Sequence, residues 1–348
     1  MSAVLPIAGA TPARSEGVWR IAWRRFRGDR VGMVSLFIVA AFLVLIALSA
    51  THVVARHWQQ EVGVPNAPPT FLGPRPPEDL GTIEVPKGPN VDLSDVDPLA
   101  PRYREWAERA ARMKTTEAPR MATLPFGGDR LGRDVLSKAV KGTEVSVFVG
   151  VLAAAVATTI GTLLGAAAGF LGGRINDFLE WVYNVFTAAP DILLIFAFAA
   201  VFGRGIGTVV LILGLTGWAS VYRQVRAEFI KHRNREYVRA AEAIGASAGS
   251  RMFRHILPNV SHVILVRLSL LVVGFIKYEV ILSYLGLGVP VDQVSWGTML
   301  AEAQAELILG YWWQLAAATA FMALFVTAFS LMADAWRDAL DPRLRGAD

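Results

Sequence analysis

The sequence predicts an all-α integral membrane protein with six transmembrane helices, a cytoplasmic loop after the fourth and a long Pro-rich extracytoplasmic insertion after the first. Three observations carry that prediction. Of 348 residues, 54% are hydrophobic and only 18% charged, with a mean hydropathy of +0.43, a balance too apolar for an ordinary soluble domain. The apolar residues gather in blocks of about twenty, which at 1.5 Å rise per residue is the length a helix needs to cross ~30 Å of hydrocarbon. Lys and Arg, finally, concentrate in alternate connecting segments. The chain has no cysteine, which excludes disulfides, thiolate nucleophiles, Cys-ligated metals and a lipidated Cys anchor. Its net charge of +5 and pI near 9.6 invite a nucleic-acid reading, but positive-inside bias is the ordinary cause of basic loops in a membrane protein.

The first span, residues 31–51, follows Arg20, Arg24, Arg25, Arg27 and Arg30 on a short amphipathic lead-in. A cleavable signal would place its apolar region earlier, so this segment reads as a retained anchor with its basic end inside. Five further spans are expected at 144–171, 178–202, 207–222, 260–285 and 311–336. The fourth is short and carries Gly207, Gly214 and Gly217, which membrane helices tolerate. Six spans leave both termini on one side. That side also holds Arg174, the run Arg223, Arg226, Lys231, Arg233, Arg235, Arg239, Arg251 and Arg254, and then Arg337, Arg343 and Arg345, while the opposite short turns are nearly bare of basic residues. Both termini and the 223–259 loop are therefore expected in the cytoplasm.

The organisation that follows is a cytoplasmic segment at 1–30, a first helix at 31–52, an extracytoplasmic insertion at 53–143 and a core of five helices at 144–348. Pro65, Pro68, Pro69, Pro74, Pro76, Pro77, Pro86 and Pro89 forbid a helix in the insertion, so residues 63–98 should run extended. From Pro101 to Thr115, Tyr103, Trp106, Ala107, Ala110 and Met113 recur at helical spacing. That pattern suggests a short amphipathic helix, either lying on the protein or the membrane surface or simply solvated.

The cytoplasmic loop is the most informative stretch. Glu236 to Gly249 and then Arg251 to Asn259 read as helix, tight turn, helix and proline stop: Gly245 supplies the turn, Ser247 caps the second helix and Pro258 ends it. Ala240, Ala241, Ala243, Gly245 and Ala246 leave a nearly smooth face that another protein could approach, the alternative being a helix lying on the membrane surface.

The spacing of Gly245 to Leu257 and Pro258 resembles the EAA loop of ABC importer permeases, with Arg239 and His255 as departures from the general pattern. Those departures, together with Phe126 to Ser137 and the Leu285-Gly-Leu-Gly288 and Ser295-Trp-Gly297 segments, resemble the oligopeptide, dipeptide and nickel branch, and within it the C-type permease. The likeness is weak over 20–52, strong over 125–345, and leaves the Pro-rich arm outside. It implies a coupling helix that docks in an ATPase groove, with Tyr237, Arg239, Ala240, Ala241, Gly245, Ala246, Arg254, Leu257 and Pro258 forming the coupling loop. It also implies a sister B-type permease as heterodimer partner, two ATPase subunits holding ATP and Mg, an extracytoplasmic solute-binding protein, and a place in the lipid of the bacterial plasma (inner) membrane.

The chain has no Gly-x-x-x-x-Gly-Lys-Ser/Thr loop, no His-Glu-x-x-His pair and no Gly-x-Ser-x-Gly elbow, so no catalytic, cofactor or metal site is expected on it. Gly161, Gly165 and Gly169 mark one face of the second span for close helix packing. Charges inside spans are costly, which gives functional weight to Asp191, Glu279 and Lys277; Asp191 and Glu279 are candidates for the transport pathway, Asp191 also fits an interfacial cap, and Lys277, two residues from Glu279 and so not facing it, pairs elsewhere or sits near the outer water. Arg267 is expected to snorkel toward the cytoplasm. The function expected is an ATP-driven importer permease moving peptide-like solutes, with an ion-coupled secondary transporter or a non-transporting scaffold as alternatives.

Overall fold

The computed structural model describes residues 18–75, 97–112 and 119–340, which fall into two compact units, one spanning 59–135 and the other the rest. In chain order the helices are α1 (Val18–Gly28), α2 (Arg30–Ala50), α3 (Ala100–Arg112), α4 (Val135–Leu171), α5 (Gly173–Thr187), α6 (Asp191–Phe202), α7 (Ile206–Arg233), α8 (Glu236–Ala243), α9 (Ala248–Ser250), α10 (Leu257–Tyr284), α11 (Trp296–Ile308) and α12 (Trp313–Leu340). Among them, five unbroken stretches are long and apolar enough to cross a membrane, and α5 with α6 makes a sixth when taken as one span.

In the larger unit, Asp29 separates α1 from α2 and caps the latter, its carboxylate accepting from the Val31 and Gly32 amides at 2.9 and 3.2 Å. Phe26 and Ala22 of α1 are buried against Ala335 and Ala339 of α12, and the Phe26 and Trp336 rings stack 4.8 Å apart. The α4 helix begins well before the expected 144 and carries Lys138, Lys141 and Glu144 in its early turns. Each is satisfied by a partner. Lys138, 1% exposed, bonds Glu302 of α11 and, at 3.2 Å, Gln314 of α12; Lys141 lies 2.7 Å from Glu144, which also accepts the Ser49 hydroxyl of α2 at 2.7 Å.

Where one span was expected at 178–202, α5 and α6 meet at 82°. Pro190 offers no amide to an α ladder and sits at φ −58°, ψ 133°, so the helix stops before it and restarts at Asp191. The next helix, α7, overruns its expected end at 222 and reaches Arg233. It is held to α5 by Arg226, which donates to Asn176 at 2.7 Å and sits 3.2 Å from Glu180, and by the Tyr222 hydroxyl on Glu180 at 2.9 Å.

Gly161, Gly165 and Gly169 bring α4 onto α7. A Cβ on these residues would lie 2.6 Å from the Trp218 carbonyl, 2.7 Å from that of Tyr222 and 2.6 Å from that of Arg226. Backbone meets backbone there, an approach only glycine permits. The main core lies alongside, where Ile212 and Leu213 of α7, Phe275 and Ile276 of α10, Trp296 of α11 and Phe325 of α12 form one buried cluster.

Pro258 does not end a helix, contrary to the sequence expectation. Residues Ala248–Tyr284 form one 37-residue helix that passes through it by opening into a π turn over Arg251–Ile256. The Leu257 amide bonds the Met252 carbonyl five residues back, and the Asn259 side chain donates to the His255 carbonyl at 2.7 Å. The wider turn removes the clash a proline ring makes with the carbonyl four residues before it.

The smaller unit is stitched by backbone rather than by helix packing. Gly63 donates to the Gly132 carbonyl, Val64 to Met121 and Thr70 to Leu124, each at 2.9 Å, over a small interior that includes Ala67 and Leu124. Buried Asp129 organises the Phe126 to Ser137 segment by accepting from the amides of Leu131 and Arg133 at 2.9 Å and from the Arg133 guanidinium at 2.6 Å. The helix expected after Pro101 is α3, with no residue buried. Much of the expected extended arm, from 76 to 96, lies outside the described residues.

Candidate functional site

The segment after α7 folds back on the bundle as a fastened knob. α8 presents Val238 and Ala241 inward, and Val238 shares a buried cluster with Met252 and Ile256 of the π turn and with Phe229 of α7. Gly245 makes the turn at φ +87°, with nothing within 4 Å of where a side chain would stand, and the Ser247 hydroxyl caps the next helix from the Ser250 amide at 3.3 Å. Three polar ties complete it. His232 Nδ1 lies 2.8 Å from the Tyr237 hydroxyl. Arg251 lies 2.5 Å from Glu242 and stacks over the Phe170 ring of α4 at 5.4 Å. Burial pushes the Tyr237 phenol above its ordinary pKa, so it remains a neutral hydrogen-bonding group.

This geometry divides the small-residue face read from the sequence. Ala240, Ala243 and Gly245 point outward and Ala246 is half-buried, whereas Ala241, 3% exposed, belongs to the inner face. Arg239, Arg254 and Pro258 are exposed around the knob, and Leu257 packs beneath it. Sequence reasoning passed over two residues that the structure puts at the surface: Ile244, 85% exposed at the tip, and Phe253, 47% exposed. Their signal was an apolar residue beside the turn glycine and another before a basic pair. An apolar tip on an otherwise charged loop is a surface built to be covered.

The two pathway candidates part company. Asp191, the first residue of α6, lines a cavity of about 360 Å³ bounded by the α5–α6 break, α7 and α10, with Tyr183, Arg223, Arg267 and Tyr278 also on its wall. Glu279 does not line this cavity. It is fully buried, its carboxylate accepts the Ser283 hydroxyl at 2.7 Å, and that hydroxyl accepts the Val289 amide at 3.1 Å. Nearby, Ser146 of α4 accepts the Trp296 amide at 3.2 Å. Glu279 thus sits at a polar hub that pins the segment between α10 and α11. Arg267 lines the cavity, and its Nε donates to Gln224 of α7. A charge at the bilayer centre costs about 2.5–3.5 kcal/mol on insertion scales, and a polar cavity with an amide partner is what offsets it.

The family described as "Binding-protein-dependent transport system inner membrane component" matches residues 161–346, more than half of the chain and the whole of the knob and cavity. The chain belongs to that family. Residues 17–69 match a second description, the N-terminal TM domain of oligopeptide transport permease C. Among curated relatives, the oligopeptide transport system permease protein OppC of Bacillus subtilis is 35% identical over 71% of this chain and 81% of its own length. The dipeptide transport system permease protein DppC of the same organism is 37% identical over 63% and 69%. The DppC of Lactococcus lactis is 28% identical over 96% of this chain and 92% of its own. An alignment that long crosses much of 59–135, so the Pro-rich arm is not outside every resemblance. The protein is a permease subunit of a binding-protein-dependent importer, a membrane component of the transport system.

Proposed function

We propose that this permease moves di- and oligopeptides across the bacterial plasma membrane by alternating access, as one half of a heterodimer with a sister B-type permease. Two ATPase subunits hold ATP and Mg, this chain binding no cofactor of its own, and an extracytoplasmic solute-binding protein delivers the cargo. The relatives named for oligopeptide and dipeptide transport support the cargo class, and the distribution of basic residues supports termini and knob in the cytoplasm, with 53–143 outside.

The observation that carries this reading is the way the knob is wired. Its exposed tip, Ile244 and Gly245, seats in a groove on the ATPase, while its inner face and polar ties bind it to α4, α7 and α10. Two of these, α7 and α10, also wall the cavity. Displacing the tip as the ATPases close on nucleotide therefore moves the cavity wall instead of bending a loose loop. Asp191 lies on the pathway in this reading, and Glu279 acts as the pin that keeps the 285–295 segment moving with α10.

The test is uptake by the tagged complex, purified from its own membranes with its binding protein and reconstituted into vesicles. ATP-dependent accumulation of a short peptide is expected. Uptake driven by an ion gradient without ATP would establish a secondary transporter instead.

A further inference from the structure

We infer that the cavity between the α5–α6 break, α7 and α10 is a transit subsite for the charged ends of a short peptide, with Arg223 and Arg267 taking the α-carboxylate and Asp191 the α-ammonium. The inference rests on the peptide-importer reading above. Its ground is the arrangement of charge.

Arg223 stands on α7 and Arg267 on α10. Both line the same cavity. Arg267 is held in place through its Nε by Gln224, which leaves the guanidinium's other N–H groups to the cavity. Among the described residues the side chains of Asp191 and Arg223 have no hydrogen-bond or ion-pair partner, although both line this space. Charged groups left open to one polar cavity are groups with bonds to give.

The ligand class follows from the donor set. A guanidinium fork matches the two oxygens of a carboxylate, and two forks against one Asp favour a ligand with a carboxylate over a cation or a neutral solute. The single Asp191 carboxylate suits one ammonium. The remaining polar wall, Tyr183, Thr187, Thr216, Ser220 and Tyr278, is neutral. Small-ligand sites run from roughly 300 Å³ upward, so a cavity of about 360 Å³ falls in the range for a short peptide. Such a site reads the two features shared by all short peptides and leaves sequence preference to the binding protein.

The decisive measurement is ATP-driven uptake of trialanine, its C-terminal amide and its N-acetyl form by the reconstituted complex, all at concentrations that saturate the binding protein. Arg223→Gln and Arg267→Gln should each lower the ratio of free-acid to amide uptake by about ten-fold, the loss of one charge-assisted bond. Asp191→Asn should lower the ratio of free-amine to N-acetyl uptake similarly and leave the acid-to-amide ratio alone. Arg267→Lys, which keeps the charge, should retain part of the preference. Should Arg267→Gln fail to assemble for want of its Gln224 bond, Arg223→Gln decides, since its exposed side chain holds nothing in place. Unchanged ratios in the variants, with normal uptake of trialanine by the parent complex, overturn the subsite and leave the importer reading standing. No ATP-driven uptake of trialanine by the parent overturns both.

Discussion

Two stretches of small residues in this chain look alike on paper: Gly161, Gly165 and Gly169 in α4, and Ala240, Ala243 and Gly245 around the turn of the knob. The first is covered by the chain itself, with the carbonyls of Trp218, Tyr222 and Arg226 standing 2.6–2.7 Å from the missing Cβ positions. The second is bare, with nothing within 4 Å of the Cβ that Gly245 lacks. In one place the absence of a side chain admits a neighbouring backbone; in the other it admits a left-handed turn and clears space around Ile244. Smallness alone does not say whether a surface is glue within a subunit or a seat for another. What stands against it does.

The comparison can be broken at its covered end first. Gly165→Leu forces a branched side chain against the Tyr222 carbonyl and Val225. A loss of about 3 kcal/mol of stability, with little monodisperse protein recoverable in detergent, is expected. Parent-like thermal stability would show that α4 and α7 do not need this contact.

At the bare end, Ile244→Asp should leave folding within about 0.5 kcal/mol of the parent, because the residue is 85% exposed. Co-purification of the ATPase subunits and ATP-driven uptake should fall together, by at least ten-fold. Intact coupling in this variant would mean that the tip is not the docking surface.

The smallest and sharpest contrast is between neighbours. Ala241→Leu overfills an inward site and should cost about 1–3 kcal/mol of stability. Ala240→Leu, on the exposed face, should cost almost none while weakening ATPase binding. Equal thermal shifts for the pair would erase the two-faced description of α8.

How far the fold could be read in advance depended on whether its cause was local. Apolar blocks located the spans because lipid demands them of the sequence directly. The overrun of α4 was hidden because Lys138 donates to Glu302 and Gln314, residues no window around Lys138 contains. The break at Pro190 was within reach of the sequence, since proline removes a donor wherever it sits; at Pro258 the same rule misled, because a π turn absorbs it. Of the site, the turn at Gly245 was legible, whereas the inward set of Ala241, the enclosure of Glu279 and the bond from Arg267 to Gln224 depend on helices far away in the chain.

The pairing of Lys138 also has a consequence in time. Its partners are 164 and 176 residues further along the chain, and at synthesis rates of about 5–20 residues per second they emerge roughly 10–35 s later. For that interval the ammonium at the start of α4 has no counter-charge from α11, and the helix must wait with its first turns near headgroups or water. A nascent chain released before residue 302 would lack the carboxylate that meets that ammonium.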